Sequence, residues 1–249
     1  MQRSNTYILV FTAIMTIIIG GVLSLASQLL GPAQKKSIEL DTKSQILSAV
    51  MEIDKKKDDV LGIYDKRIHS FVVDAQGNVV ETDEKGNKII PENVNVLKYS
   101  KKPCSERLLP VFMLMNEQDT NKIDAYIFPM YGNGLWNKIY GYIALEDDMN
   151  TIKGVSFGHV QETPGLGARI ATKEIEERFK GKKIFEGDEL VSVVMLKGEK
   201  KDPSLFGPHE VDGMSGATLT AKGLNAMIKD YLECYKPFLL KTKNQQAAL

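Results

Sequence analysis

The residues best suited to chemistry lie in a run of small and hydroxyl-bearing side chains at positions 211–220 of the 249-residue chain. Within this run the string Ser-Gly-Ala-Thr ends at Thr218, and the residues that follow have the spacing of an amphipathic helix. A hydroxyl at the start of a helix lies near unpaired backbone N–H groups and the positive end of the helix dipole, which together stabilise a phosphate. Alternatively, Ser215, Thr218 or Thr220 could simply be the N-cap of that helix. The string therefore indicates either a phosphate on a hydroxyl or an ordinary helix start.

A second string, Glu-Thr-Pro-Gly-Leu-Gly at positions 162–167, predicts a turn. Pro164 and Gly165 suit the two central positions of a type II turn, because proline fixes φ and glycine accepts a positive φ. Gly165 and Gly167 also let backbone groups approach the edge of a flat ligand. The third glycine of a dinucleotide-binding fingerprint is missing, so the segment could equally be a joint between a strand and a helix.

The single tryptophan, Trp136, follows two glycines in a loop at positions 131–136 between two β-rich runs. A lone indole in such a loop is most often packed in the core. The alternative is an aromatic edge beside a planar ligand.

Composition excludes several classes of protein. The 32 basic and 32 acidic side chains cancel, so the charge does not indicate a nucleic-acid partner. Only two cysteines are present, Cys104 and Cys234, which excludes a zinc or iron–sulfur framework and leaves open whether the two form a disulfide. None of the three histidines stands in a hydrolase motif.

The N-terminal region predicts a membrane anchor. Between Arg3 and Lys35 there is no charged residue, and positions 7–30 would form a helix about 36 Å long against a hydrocarbon core of about 30 Å. A cleaved signal peptide is the alternative, although the apolar stretch runs past the small residues Ser24 and Ala26. The lysines that follow the span weakly favour a cytoplasmic domain.

The remainder of the chain predicts one α+β domain with an antiparallel sheet. Helical spacing at positions 46–51 is followed by a solvated, charged helix end at positions 54–59, which includes Lys55. Strands are predicted at 70–74, 79–81, 109–115, 123–130, 139–145, 152–157 and 189–196. Helices are predicted at 167–179 and 218–235, the second with one apolar face.

Taken together, the two strings and Gly134-Leu135-Trp136 resemble the covalently flavinylated, membrane-anchored subunits of bacterial respiratory pumps. Among these, the C subunits of sodium-translocating NADH:quinone oxidoreductases are the most similar. The likeness covers the N-terminal span and is densest from about Tyr131 to Lys222. A sister flavoprotein of the Rnf electron-transport complex shares the two strings but not His159 or the string that begins at His209.

The resemblance implies one FMN per chain, joined through its phosphate to the hydroxyl of Thr218. Neighbouring residues are implied in three groups: around the phosphate Ser215, Gly216, Ala217, Leu219 and Thr220; along the isoalloxazine ring Glu162, Thr163, Leu166 and Gly167; and beside the ring Trp136. Lys222 could lie near the phosphate or simply face solvent. His159 and His209 are expected to be structural, and no catalytic or metal-ligating residue is expected.

In such a complex the chain would relay electrons towards quinone, in a process coupled to sodium export. The implied partners are the other membrane and NADH-oxidising subunits, a magnesium-dependent flavin transferase and the bacterial inner membrane. Residues 1–34 would be the anchor and residues 35–249 a periplasmic domain, with its FMN-binding core at about 131–235. The alternatives are an Rnf-type subunit, a membrane-tethered FMN-binding module outside respiration, and an anchored structural protein without a cofactor.

Overall fold

The computed structural model describes residues 4–54, 56–83, 85–119 and 122–246. Arg3, Lys55 and the last three residues of the predicted domain lie outside these ranges. The chain divides into two compact units, Met1–Lys43 and Ser44–Leu249.

The first unit is helical. Helix α1 is continuous over Asn5–Ser48 and includes Pro32, so it contains the whole predicted membrane span. The helical segment predicted at 46–51 is helical only to Ser48, and the prediction that this helix has its charged end at 54–59 is wrong, because α1 has already ended. In the described part of the chain, α1 is the one helix whose length and composition would allow it to cross a membrane.

The second unit is built on a five-stranded antiparallel sheet in the order β1-β2-β3-β4-β5. The strands are β1 (Ile68–Val73), β2 (Leu109–Met115), β3 (Ile123–Asn133), β4 (Lys138–Leu145) and β5 (Ile152–His159). All five lie on predicted β-rich runs, since antiparallel neighbours are joined by turns that the sequence marks well. Strands β3 and β4 pair up to Asn133 and Lys138, and in the turn between them the Gly134 N–H donates to the Asn137 carbonyl at 2.7 Å.

Further helices and strands belong to the second unit. They are α2 (Val60–Arg67), α3 (Val96–Tyr99), α4 (Lys173–Glu176), β6 (Phe185–Glu186), β7 (Glu189–Leu190), β8 (Val194–Met195), β9 (Glu210–Val211) and the long α5 (Thr218–Gln246). Helix α5 begins at the predicted residue and extends beyond the predicted end at position 235.

Helix α5 packs its apolar face against the sheet. The rings of Phe128 and Tyr235 meet edge to face at 4.8 Å between centroids, and the buried Tyr235 hydroxyl donates to the Pro110 carbonyl at 2.7 Å. Near its start, α5 approaches β3 so closely that a Cβ on Gly223 would overlap the Asn133 carbonyl. The first turn of α5 is therefore fixed beside the β3–β4 turn.

Three predicted elements were wrong in detail. The helix predicted at 167–179 is a 3₁₀ turn at Gly167–Ala171, followed by α4 and a second 3₁₀ turn at Glu177–Phe179. The break before α4 arises because Thr172 is extended and its hydroxyl donates to the Arg169 carbonyl at 2.7 Å. The strand predicted at 189–196 divides into β7 and β8, because Ser192 adopts a left-handed φ of 67°. The strand predicted at 79–81 is only an isolated bridge, which pairs Val79 with Val73.

A disulfide joins Cys104 and Cys234, with the two Cα atoms 5.2 Å apart, within the range that a disulfide spans. It connects the short turn before β2 to the middle of α5, and Arg107 pairs with Asp230 beside it. The pairing, which the sequence left open, therefore closes a long loop of 130 residues around the sheet.

We expect Cys234→Ser to lower the free energy of unfolding by about 2–4 kcal/mol, because the unfolded chain loses the constraint on its longest loop. Urea unfolding of the full chain in detergent, followed by circular dichroism, measures this change. Cys104→Ser and the double variant should lose a similar amount, since all three break the same bond. An unchanged midpoint in all three would contradict this role.

Candidate functional site

A pocket of about 210 Å³ lies where the first turn of α5, the 162–167 loop and the β3–β4 turn meet. Its walls contain nine of the predicted residues together with Leu135: Glu162, Thr163, Leu166, Gly167, Gly216, Ala217, Thr218, Leu219 and Thr220. Ser215 and Trp136 adjoin the pocket rather than line it. The fold therefore brings together two strings that lie far apart in the sequence.

The buried carboxylate of Glu162 holds this meeting point together. One oxygen accepts a hydrogen bond from the Thr220 hydroxyl at 2.7 Å, and the other accepts one from the backbone N–H of Trp136 at 3.0 Å. The Glu162 N–H in turn donates to His159 Nδ1 at 3.3 Å. Glu162 thus connects α5, the β3–β4 turn and the end of β5.

Two glycines make room for the Glu162 carboxylate. A Cβ on Gly167 would stand 2.5 Å from both Glu162 Oε2 and Thr220 Oγ1, and one on Gly134 would overlap Glu162 Oε1. Real Cβ atoms do not approach oxygen so closely. Both positions therefore require glycine because the hydrogen bonds to Glu162 occupy the space.

Burial raises the pKa of Glu162, but the hydrogen bond from Thr220 and the N–H donors of the β3–β4 turn outweigh that effect, and the pKa lies below its ordinary value. The carboxylate is therefore ionised and acts as an acceptor for all of its neighbours.

The 162–167 loop has the predicted type II turn. The Leu166 N–H donates to the Thr163 carbonyl at 3.1 Å, and Gly165 has a φ of 74°. The Thr163 hydroxyl accepts the indole N–H of Trp136 at 3.1 Å. Trp136 is 69% exposed, so the core position that is usual for a lone tryptophan is wrong here.

The hydroxyl of Thr218 differs from that of Thr220. Thr218 is half-buried at the start of α5, and its Oγ1 makes no hydrogen bond to any residue that the structure describes. Within the same described ranges, none of Ser215, Thr218 and Thr220 caps the helix through its side chain. Thr218 therefore offers a free oxygen to the pocket, next to the N–H groups of the first helical turn.

The rim of the pocket is apolar and exposed. Leu219 is 55% exposed, Leu135 44% and Leu166 41%, and Trp136 stands beside them. Large apolar side chains gathered at one opening are typical of a ligand-binding surface. Such a rim suits a planar, largely apolar ring, and a phosphate carried by the same ligand would be stabilised at the start of α5.

Some residues around the site were not predicted from the sequence. Leu135 lines the pocket, and its place between Gly134 and Trp136 in the Gly-Leu-Trp string could have indicated this. Glu199, which accepts the Ser215 N–H at 3.4 Å, gave no signal, because isolated charged residues in loops are usually solvated. Lys222 is exposed, and His209 lies with Nδ1 2.7 Å from the Lys183 carbonyl.

Known proteins resemble both this part of the chain and the chain as a whole. A family model described as an FMN-binding domain matches residues 134–233. The chain is 31% identical to the C subunit of the Na(+)-translocating NADH-quinone reductase of Haemophilus ducreyi, over 94% of this chain and 93% of that protein. It is 33% identical to the C subunit of the same reductase from Neisseria meningitidis, over 88% of this chain and 86% of that protein.

A crystal structure of the C subunit of the Na(+)-translocating NADH-quinone reductase from Parabacteroides distasonis has the same fold. The TM-score is 0.71 at 34% identity, with 84% of this chain and 96% of that chain covered. The antiparallel α+β prediction is thereby confirmed.

We expect Thr220→Val to destabilise the chain by about 1–3 kcal/mol, because it leaves a buried carboxylate oxygen of Glu162 without its donor. Thr218→Val is the matched control and should stay within about 0.5 kcal/mol of the wild type, since its hydroxyl has no partner to lose. Urea unfolding followed by the fluorescence of Trp136 compares the two variants. Equal losses would show that the two hydroxyls are equivalent.

We expect the stability of the Glu162→Gln variant to depend less on acidic pH than the stability of the wild type. The pKa of Glu162 is lowered on folding, so its contribution is fully present above about pH 4.5 and is lost as the pH falls through the folded-state pKa. Between about pH 6 and about pH 3 the melting temperature of the wild type should fall more steeply than that of the variant. Parallel curves would contradict the shift.

Proposed function

The chain belongs to the family of C subunits of Na(+)-translocating NADH-quinone reductases, and from this premise we propose that it carries FMN in the Thr218 pocket. The observation that carries the proposal is the free Thr218 hydroxyl, which opens into a pocket with an apolar rim at the start of a long helix. The likeness of residues 134–233 to an FMN-binding domain supports the same ligand.

Several residues of the pocket would hold FMN. The N–H groups of the first α5 turn would bind the phosphate, with Ser215, Gly216 and Ala217 leading into that turn. The 162–167 loop, which ends at Gly167, would border the ring. Leu166, Leu219 and Trp136 would supply apolar contacts to it.

We also propose that the link to Thr218 is covalent. The Thr218 oxygen bonds to the flavin-side phosphorus of a flavin dinucleotide, the phosphoanhydride bond breaks, and the nucleoside monophosphate leaves. The hydroxyl proton passes to a base of a separate magnesium-dependent flavin transferase. An anhydride donor is needed because condensing FMN itself with an alcohol in water is uphill.

Bound FMN would accept electrons from one partner protein of the complex and pass them to the next, on the way from NADH to quinone. The chain's own part is to hold the ring at a fixed distance and to tune its potential through the contacts of the 162–167 loop. Other subunits of the sodium-exporting complex supply the sites for NADH and quinone.

We place the second unit in the periplasm, with α1 anchored in the bacterial inner membrane. The Cys104–Cys234 disulfide supports this side, because such bonds persist in oxidising compartments and are rare in the cytoplasm. That argument outweighs the lysines that follow the span, since large domains cross membranes largely regardless of their charge.

We expect Thr218→Val to abolish the fluorescent flavin band that the wild-type chain shows on a denaturing gel after coexpression with the transferase. Only a covalent link survives denaturation, so the band reports the bond directly. Ser215→Ala removes a neighbouring hydroxyl and should keep the band. A band that persists in Thr218→Val would place the link on another residue.

A further inference from the structure

Glu199, Arg169 and Arg178 form the centre of a charged cluster beneath the loop that precedes Thr218, and Glu174 and Asp212 also pair with these arginines. The carboxylate of Glu199 is only 7% exposed and accepts Arg169 Nη2 and Arg178 Nη2, each at 2.7 Å. Arg169 Nη1 donates to its second oxygen at 3.0 Å. Glu199 is therefore held between two guanidinium groups that are themselves largely covered.

The cluster contacts the loop through both donors and acceptors. Arg178 Nη1 donates to the Gly213 carbonyl at 2.5 Å and to the Asp212 carbonyl at 3.3 Å. Glu199 Oε2 accepts the Ser215 N–H at 3.4 Å. Three backbone groups of the loop are thus fixed within a few residues of Thr218.

The same cluster reaches the other string. Arg169 lies in the short helix that follows the 162–167 loop, so its bonds to Glu199 tie that loop to the segment before Thr218. A Cβ on Gly213 would overlap the carbonyl groups of Leu196 and Gly198, which shows how tightly the loop is pressed onto the segment before Glu199.

We propose that Glu199 is a positioning residue for flavin attachment, which acts through Arg169 and Arg178 to hold the loop so that the Thr218 oxygen is presented to the transferase. This inference rests on the proposed function. A loop of small residues has much conformational freedom to lose, and a nucleophile held in place before the encounter reacts faster. Hydrogen bonds from Arg169 and Arg178 lower the pKa of Glu199, so the carboxylate keeps its charge.

Glu174 provides a matched control. Its carboxylate also accepts Arg169 Nη2, at 3.1 Å, and Arg178 Nη2, at 2.6 Å, but its side chain is 60% exposed. Among the described residues it has no hydrogen bond to the loop at 212–216. Glu174→Gln therefore removes the same charge from the same two arginines without releasing the loop.

The test uses the full chain in detergent, made without the transferase, as wild type, Glu199→Gln, Arg178→Lys and Glu174→Gln. Intact mass follows loading at saturating transferase with flavin dinucleotide, so that the maximal rate is separated from the affinity for the chain. We expect Glu199→Gln and Arg178→Lys to lower the maximal rate about 10- to 100-fold. Glu174→Gln should load like the wild type.

Amide hydrogen exchange on the unloaded proteins gives a second readout. The Ser215 amide should exchange faster in Glu199→Gln than in the wild type and should be unchanged in Glu174→Gln. Arg178→Lys keeps the positive charge, and its loading rate tests the same inference if Glu199→Gln does not fold. Loading of all variants at one rate would overturn this inference alone, whereas a wild-type chain that gains no mass would overturn the proposed function and this inference with it.

Discussion

The hydrogen bond between Thr220 and Glu162 is the interaction on which the site depends. It is buried, it is 2.7 Å long, and it joins two residues 58 positions apart. Because the carboxylate also accepts a hydrogen bond from the backbone N–H of Trp136, one side chain fixes the start of α5, the 162–167 loop and the β3–β4 turn relative to one another. The same bond separates two neighbouring threonines into distinct roles: Thr220 is committed to the scaffold, and Thr218 keeps its oxygen free.

That bond can form only because the domain brings its members into reach. Helix α5 packs on the sheet through the contact of Tyr235 with Phe128. The close approach of Gly223 to Asn133 fixes the position of its first turn beside β3. The Cys104–Cys234 disulfide ties the same helix to the turn before β2. Packing along most of α5 therefore places its first three residues, where the proposed chemistry lies.

Much of this arrangement could be predicted from the sequence, because its signals are local. Short β-rich runs bounded by turn residues identified the five strands, and Pro164-Gly165 identified the turn that the 162–167 loop adopts. Contacts between segments that are distant in the sequence could not be predicted from such local signals. The exposure of Trp136, the left-handed Ser192 that divides the predicted strand and the Cys104–Cys234 pairing all depend on tertiary neighbours. The cluster around Glu199 carried no pattern in the sequence, and the covalent link to Thr218 remains a prediction.

The central claim is a phosphoester on the oxygen of Thr218, and peptide mapping of the chain from the membranes of its host tests it most directly. Cleavage after Lys201 and Lys222 isolates a peptide with four hydroxyl side chains, Ser204, Ser215, Thr218 and Thr220. Fragmentation of that peptide should assign a mass gain of one FMN less one water to Thr218. An unmodified peptide, or the added mass on any of the other three residues, would contradict the account.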